Sequence, residues 1–470
     1  MAKTIFNTSE NSNFILNLTK EKYSKMASFS LVLTCILISV SVIPCELNID
    51  KISYPIISGA LSLCGVICMI MSIIAFIKGY IENKKLIPIL FFGAMLLWGV
   101  ISLINSYDKN VSLYGFDGRG EGLLALIFYF CFFVTASAIS GDKFKIIVFD
   151  SVVAMGIINS LWAVPQIFID SMPSKYNYIV SAGDVNASSG LSQSPLFLAM
   201  VLSIALAISL LGSLILDGKN RKIIYFISSL LFAFVMIFTY SLISLVGISF
   251  AVITAFMIVF TKKMNIKNIC KPWGIIISSV IAVLLINSGI VCENSKYSLH
   301  DGALMWFDSF NRLGSSGNYN PEKFDIENTA DVYLYINSKT IDIIKKYPIT
   351  GTGEENLIYP QLHSSYNVIE NNDTFDKNYN EYLYIAGTRG IPSLLFFIII
   401  ICLVMYTGIK KLKADKNNSL NYISFVGVLC GIIIFLIGAG NINFSPLFWI
   451  FAGFLISSDD TSEQIKIRNK

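Results

Sequence analysis

Asp376-Lys-Asn-Tyr-Asn-Glu-Tyr-Leu-Tyr-Ile-Ala-Gly-Thr-Arg-Gly-Ile-Pro-Ser-Leu-Leu395 carries the chain from a polar segment directly into an apolar one. Residues 293–384, ahead of the junction, are dense in tyrosine, asparagine and acid, and they contain both histidines, His300 and His363. Residues 386–408, behind it, form an apolar run long enough to cross a hydrocarbon core of ~30 Å as a helix. The passage reads as a water-side loop entering a membrane span. Further apolar runs lie near 27–44, 56–77, 86–105, 121–141, 145–169, 194–216, 222–240, 242–261, 272–292, 421–440 and 443–457, with a weak break at Ser241–Leu242. Together they predict an all-α polytopic membrane protein with about twelve transmembrane helices. One large extracytoplasmic loop, 293–385, separates helices 1–9 (27–292) from helices 10–12 (386–457), and tails of 1–26 and 458–470 flank them.

Composition agrees with that class. The chain is 54% hydrophobic and 14% charged, well below the roughly one-quarter charge of soluble domains. Lysine and arginine gather in alternate connections. Lys20, Lys22 and Lys25 precede the first span, Lys78, Lys84 and Lys85 follow the second, and Lys143 and Lys145 flank the fourth turn. Then come Lys219, Arg221 and Lys222, Lys262 to Lys271, Lys410 to Lys416, and Lys466 to Lys470. This is the positive-inside pattern, and it predicts cytoplasmic termini and an outward-facing 293–385 loop. The net charge of +4 is thus a topology signal; no basic-aromatic stripe indicates nucleic acid. The N-terminal stretch lacks a cleavable signal core, so the first span is expected to stay in the protein.

Cys64 and Cys68 share a helical face without His or acid partners, so neither they nor any other motif implies a metal or cofactor. Cys45 and Cys292 lie near outer span ends, and their bland reading is free thiols. A two-fold repeated transporter would carry a long connection after its sixth helix; here that connection is only 217–222. Asp150 is the clearest intramembrane acid, either a functional carboxylate or a snorkelling cap.

The outer-side motifs carry the chemistry. Arg119 and Glu121 sit among glycines in Ser112-Leu-Tyr-Gly-Phe-Asp-Gly-Arg-Gly-Glu-Gly122. An arginine there stands out in a chain with thirty lysines and five arginines, because its fork suits bidentate recognition. Ser194 and Pro195 read as the N-cap and first turn of span 6, and Trp162 and Gln166 as an interfacial anchor and a helix–helix hydrogen bond. Residues 337–346 have helical apolar spacing, followed by the Gly-rich turn Pro348-Ile-Thr-Gly-Thr-Gly-Glu-Glu-Asn356. On a helix, Tyr379, Asn380 and Glu381 would stand just above the membrane, with Arg389 two turns on.

The order of these parts resembles the O-antigen ligase and polymerase family of bacterial envelope glycosyltransferases. The parts are Arg119-x-Glu-Gly, the Gly190-x-x-x-x-Pro-x-x-Leu-Ala entry to span 6, the Lys346-x-Pro-x-x-Gly-x-Gly turn, and Asn380-Glu-Tyr-Leu ending in Thr388-x-Gly-Ile-Pro. The resemblance covers about 97–455. It implies a water-filled outer cavity beneath the loop, in the cytoplasmic (inner) membrane. There a glycan moves from a polyprenyl-diphosphate carrier to a glycan, lipid or protein acceptor. No metal or other cofactor is implied, because the diphosphate already leaves well and cations need only stabilise its charge. Arg119, Glu121, Tyr379 and Glu381 are the implied catalytic residues. Gln193, Arg312, Lys339, Gly351, Gly353, Asn380 and Arg389 are the implied substrate contacts.

The chain departs from the family pattern where it matters. Tyr379 replaces the usual histidine, Tyr333 and Asn337 replace an arginine and a tryptophan, and Tyr240-Ser-Leu-Ile-Ser244 lacks the usual arginine of helix 8. Besides a glycan ligase or polymerase, two alternatives stand: a lapsed member that binds lipid-linked glycan or a partner enzyme, and a lipid or glycan transporter. His363 would supply a base if the loop folded it beside Arg119.

Overall fold

The computed structural model of the chain describes residues 17–43, 50–82, 85–116, 119–168, 187–287, 329–363 and 375–457. Their regular structure is helical throughout. The long helices are α1 (Lys20–Val40), α2 (Asp50–Ile77), α3 (Leu86–Ile104), α5 (Leu123–Ala138), α6 (Asp142–Phe168), α7 (Pro195–Ile215), α8 (Lys219–Ile237), α9 (Leu242–Thr261), α10 (Cys270–Asn287), α13 (Glu381–Ala414), α14 (Ser419–Ile434) and α15 (Ser445–Ile456). Between them lie α4 (Lys109–Tyr114), α11 (Thr329–Lys346) and α12 (Tyr359–His363). Among the described residues, nine helices are long and apolar enough to cross a membrane, and α5, α14 and α15 are shorter apolar helices. The chain is a multi-pass membrane protein. Its perimeter exposes large apolar side chains such as Leu97 (70%) and Leu90 (67%) on α3, a surface that suits lipid.

Caps and breakers set the ends. Ser194 accepts from Leu196 N at 3.2 Å and Pro195 opens α7, as the sequence predicts. The break before α9 is real: Ser241 is its N-cap, and Tyr240 adopts a left-handed φ of 50°. Every side chain of the central window of α7 is buried, and α8, α9 and α14 pack around it. A second group joins α2, α3, α5, α13 and α15. Its aromatic centre sets Trp449 tilted against Phe92 and edge-on to Phe397 and Phe448.

Basic connections meet at one end of the bundle. Lys143 pairs with Glu21, Ser24 touches Ser140, Ser419 Oγ donates to Ile215 O, and Lys271 and Lys411 donate to Ser213 O and Ser457 O. Asp150 belongs to this end. Arg221 grips it with two bonds of 3.2 Å and the Tyr225 hydroxyl donates at 2.8 Å, so it ties α6 to α8. At the opposite end, Gln166 holds a loop. It accepts from Ser189 N and Gly190 N, pinning the loop ahead of α7.

Three local expectations change. Helix α11 begins at Thr329, earlier than the 337–346 spacing indicates. Tyr379 precedes its helix, because Asn380 is the N-cap of α13. Finally, α13 is broken at Gly390 (φ 82°, ψ 167°), just before Pro392. A proline cannot donate back into the preceding turn, so the helix restarts there.

Candidate functional site

The break in α13 is what builds the site. Its unwound backbone receives the Gly-rich turn: Thr352 N and Gly353 N donate to Gly387 O and Thr388 O at 3.0 and 2.8 Å, and Ile391 N donates to Pro348 O at 2.8 Å. From α3, Ser102 Oγ donates to Thr388 O and Trp98 Nε1 to Ile349 O. Gly351 has φ 65°, and a Cβ there would overlap the Thr388 carbonyl. The predicted binding glycines 351 and 353 therefore act as backbone joints. Asn356 continues the clamp by exchanging hydrogen bonds with the backbone of Asp108 at 2.8 and 3.1 Å.

This docking delivers Glu354 and Glu355 into a buried charge cluster. Glu355 is wholly buried with φ 58°, a strained conformation for a residue with a Cβ. Its carboxylate meets Arg119 Nη2 at 2.8 Å, accepts from the Tyr384 hydroxyl at 2.8 Å and lies 3.9 Å from Lys377 Nζ. Arg119 also holds Asp376 at 3.0 Å and lies over the Phe116 ring. Lys377 is buried and donates to Glu121. Arg389, 3% exposed, faces Glu354 at 2.9 Å.

Between these groups lies a small, open-mouthed cavity. Glu121, Glu354, Lys377, Glu381, Tyr384 and Arg389 form its polar wall, and Met95, Leu126, Phe397, Phe435 and Trp449 are among its apolar lining. Glu381 Oε2 accepts from Gly440 N at 2.7 Å, so the loop between α14 and α15 closes one side. Burial pushes the Glu354 carboxyl up to about 7, and Arg389 holds it back from rising further. Burial likewise raises the Glu121 carboxyl, while Lys377 opposes the rise.

Of the sequence-derived residues, Glu121, Glu381 and Arg389 meet in this cavity, with Arg119 directly behind it. Asn380 caps α13 by accepting from Leu383 N at 3.1 Å and donates to Leu436 O at 3.0 Å. Buried Gln193, with φ 64°, and Lys339, whose ammonium lies over Tyr335 at 5.6 Å, are not among the lining residues. Arg312, His300, Cys45 and Cys292 lie outside the described residues. Tyr379 stacks on Tyr333 with ring centroids 4.9 Å apart. The positions where the family resemblance expects histidine and arginine thus touch each other. Burial pushes the Tyr333 hydroxyl further above its ordinary value, so Tyr333 is a poor proton acceptor at neutral pH.

Sequence reasoning missed Lys377, Glu354, Glu355 and Tyr384. A signal existed for two of them: Glu354 and Glu355 follow the Gly-rich turn directly, where a tight backbone aims its next side chains rigidly. Lys377 had none, since one lysine among many in a polar loop carries no mark of burial.

Residues 227–398 match the family model described as O-antigen ligase, a segment that runs from α8 through the loop to the broken part of α13 and so contains Glu354, Glu355, Lys377, Glu381 and Arg389. No curated protein matches the chain.

Proposed function

We propose that this chain is a member of the O-antigen ligase/polymerase family, a reading that the match over residues 227–398 supports, and that it transfers a glycan from a polyprenyl-diphosphate carrier to an acceptor at the outer face of a bacterial cytoplasmic membrane. All twelve apolar helices are read as spanning, with the basic end and both termini in the cytoplasm. The observation that carries the reading is the cavity wall, where Lys377 and Arg389 line one partly open cavity at the foot of the loop. Buried cations in a water-poor site stabilise charge that develops on a leaving diphosphate. The apolar and aromatic lining opposite them suits the first part of a lipid tail or a sugar face. Arg119 acts as a positioning residue, since it binds Glu355 and Asp376 and so joins the two segments that carry Glu354 and Lys377.

The test is transfer in detergent, with purified protein and polyprenyl-diphosphate-linked oligosaccharide. Release of polyprenyl diphosphate with transferred or lengthened glycan supports the reading. Arg119→Ala is expected to abolish transfer and Arg119→Lys to restore part of it, because a single ammonium replaces a fork that holds two carboxylates. Lys410→Ala, at the basic end, is expected to leave the rate unchanged. Equal losses in Arg119→Ala and Lys410→Ala would sink the site assignment.

The Tyr333–Tyr379 stack favours a second reading, a lapsed enzyme that binds lipid-linked glycan without turnover. Binding of the donor with no release across a panel of acceptors would select it. Under the transferase reading the stack is structural. Tyr379→Phe, which keeps the ring and removes the hydroxyl, should then leave the rate within about threefold. A loss of about 100-fold, the scale of a lost general base, would return the catalytic role to Tyr379.

A further inference from the structure

Transfer to a hydroxyl needs a proton acceptor, and the buried glutamates of the cluster differ in whether they are free to serve. Glu121 is engaged by Lys377, Glu355 by Arg119 and Tyr384, and Glu381 by the Gly440 amide. Glu354 is different. Glu354 Oε2 and Glu355 Oε2 both lack a hydrogen-bond partner among the described residues, but Glu355 is not among the lining residues and its other oxygen holds the Tyr384 hydroxyl, whereas Glu354 is 8% exposed and lines the cavity. Arg389 Nε stands 2.9 Å from Glu354 Oε2 but is misaligned for a hydrogen bond, and Arg389 Nε and Nη1 are themselves unsatisfied. Buried polar groups left unpaired are costly. Two such groups side by side, facing one cavity, mark a place where a ligand completes the bonding.

Building on the transferase reading, we propose that Glu354 is the general base of this chain and that Arg389 binds the departing diphosphate beside it. The acceptor hydroxyl oxygen bonds to the anomeric carbon of the donor sugar as the bond from that carbon to the phosphate oxygen breaks. The electron pair of the broken bond leaves on polyprenyl diphosphate, and the hydroxyl proton passes to the Glu354 carboxylate, which later returns it to water. Arg389 and Lys377 offset the diphosphate charge, so Glu354 can remain ionised next to it. The placement also explains how the chain dispenses with the histidine its relatives are expected to carry at position 379: the base moves from the start of α13 to the end of the Gly-rich turn.

The groups facing Glu354 are Arg389 and Glu381 from α13, Lys377 from the segment ahead of it, and neighbouring Glu355. With the carboxyl held at about 7, the sign follows. The competent form is deprotonated, so the rate falls as pH drops below about 7, approaching tenfold per pH unit.

Glu354→Gln keeps the size of the side chain and removes the base. Donor affinity, measured with polyprenyl-diphosphate-linked oligosaccharide in detergent, should stay within about threefold, while kcat falls by about 100-fold or more and the acidic limb flattens. Glu354→Asp should retain a slower reaction with the limb in place. Wild-type turnover with an E354Q rate within about fivefold would overturn the assignment, as would a parallel loss of donor binding. If E354Q does not fold, a wild-type rate that is flat between about pH 5 and about pH 8 overturns it independently. Failure of the transferase reading looks different: wild type binds donor and releases nothing at any pH.

Discussion

Lys377→Ala should give a protein that neither transfers glycan nor withstands heating as wild type does, and the two defects should separate in a double variant. Lys377 and Glu121 are almost completely buried, with side-chain exposures of 7% and 8%. Removing one partner of a buried ion pair strands the other charge, at a cost of about 3–5 kcal/mol. The nearby acids sharpen the effect. Glu121, Glu354, Glu355, Glu381 and Asp376 already outnumber Arg119, Lys377 and Arg389, so loss of one cation leaves an acid-rich cavity that repels a diphosphate. Burial already raises the Glu121 carboxyl; without Lys377 it should take up a proton near neutral pH, which softens the stability loss as pH falls. Adding Glu121→Gln to Lys377→Met removes the stranded charge. That pair should regain most of the thermal stability in detergent yet remain inactive. Recovery of transfer in the double variant would show that Lys377 serves only to satisfy Glu121.

The helix positions were legible because a membrane imposes a length on the helices that cross it. About twelve apolar runs stand out in the sequence, a helix lies on each, and among the described residues nine helices are long and apolar enough to cross. The site was legible in part. Arg119, Glu121, Glu381 and Arg389 were flagged by their motif positions, and all belong to the cluster. The motifs could not distinguish residues that touch the cavity from those that build it. Asn380 is a cap and Gly351 a joint, roles that depend on backbone contacts with segments tens of residues away. Lys377 escaped because burial of a single lysine is decided by tertiary packing against Glu121, 256 positions earlier in the chain. Tyr379 was read as catalytic by analogy with a histidine, whereas its ring lies against Tyr333, a contact between helix α11 and the residue before α13 that no local pattern encodes.

Gly390 makes the largest structural prediction. Its φ of 82° and ψ of 167° fall in a region open essentially to glycine alone. A Cβ there would also overlap the Ile349 carbonyl oxygen, a backbone atom fixed by the Trp98 indole at 3.0 Å. Gly390→Ala therefore has two ways to relax. It can straighten the break in α13, or it can expel the Gly-rich turn from the unwound backbone. Either movement costs the bonds at Gly387, Thr388 and Ile391 and withdraws Glu354 and Glu355 from the cluster. Arg389, one residue away, would swing with the helix. The expected result is a Tm in detergent lower by many degrees, early proteolysis within the loop, and no transfer. Gly93→Ala is the matched control, since it lies inside α3 with nothing within 4 Å of the added methyl. Alanine there should be neutral or stabilise by about 0.5–1 kcal/mol. A Gly390→Ala protein that melts within about 2 °C of wild type, well inside the shift expected for 1 kcal/mol in a small domain, would mean that the turn does not depend on the break. The cavity would then need some other support for Glu354 and Arg389.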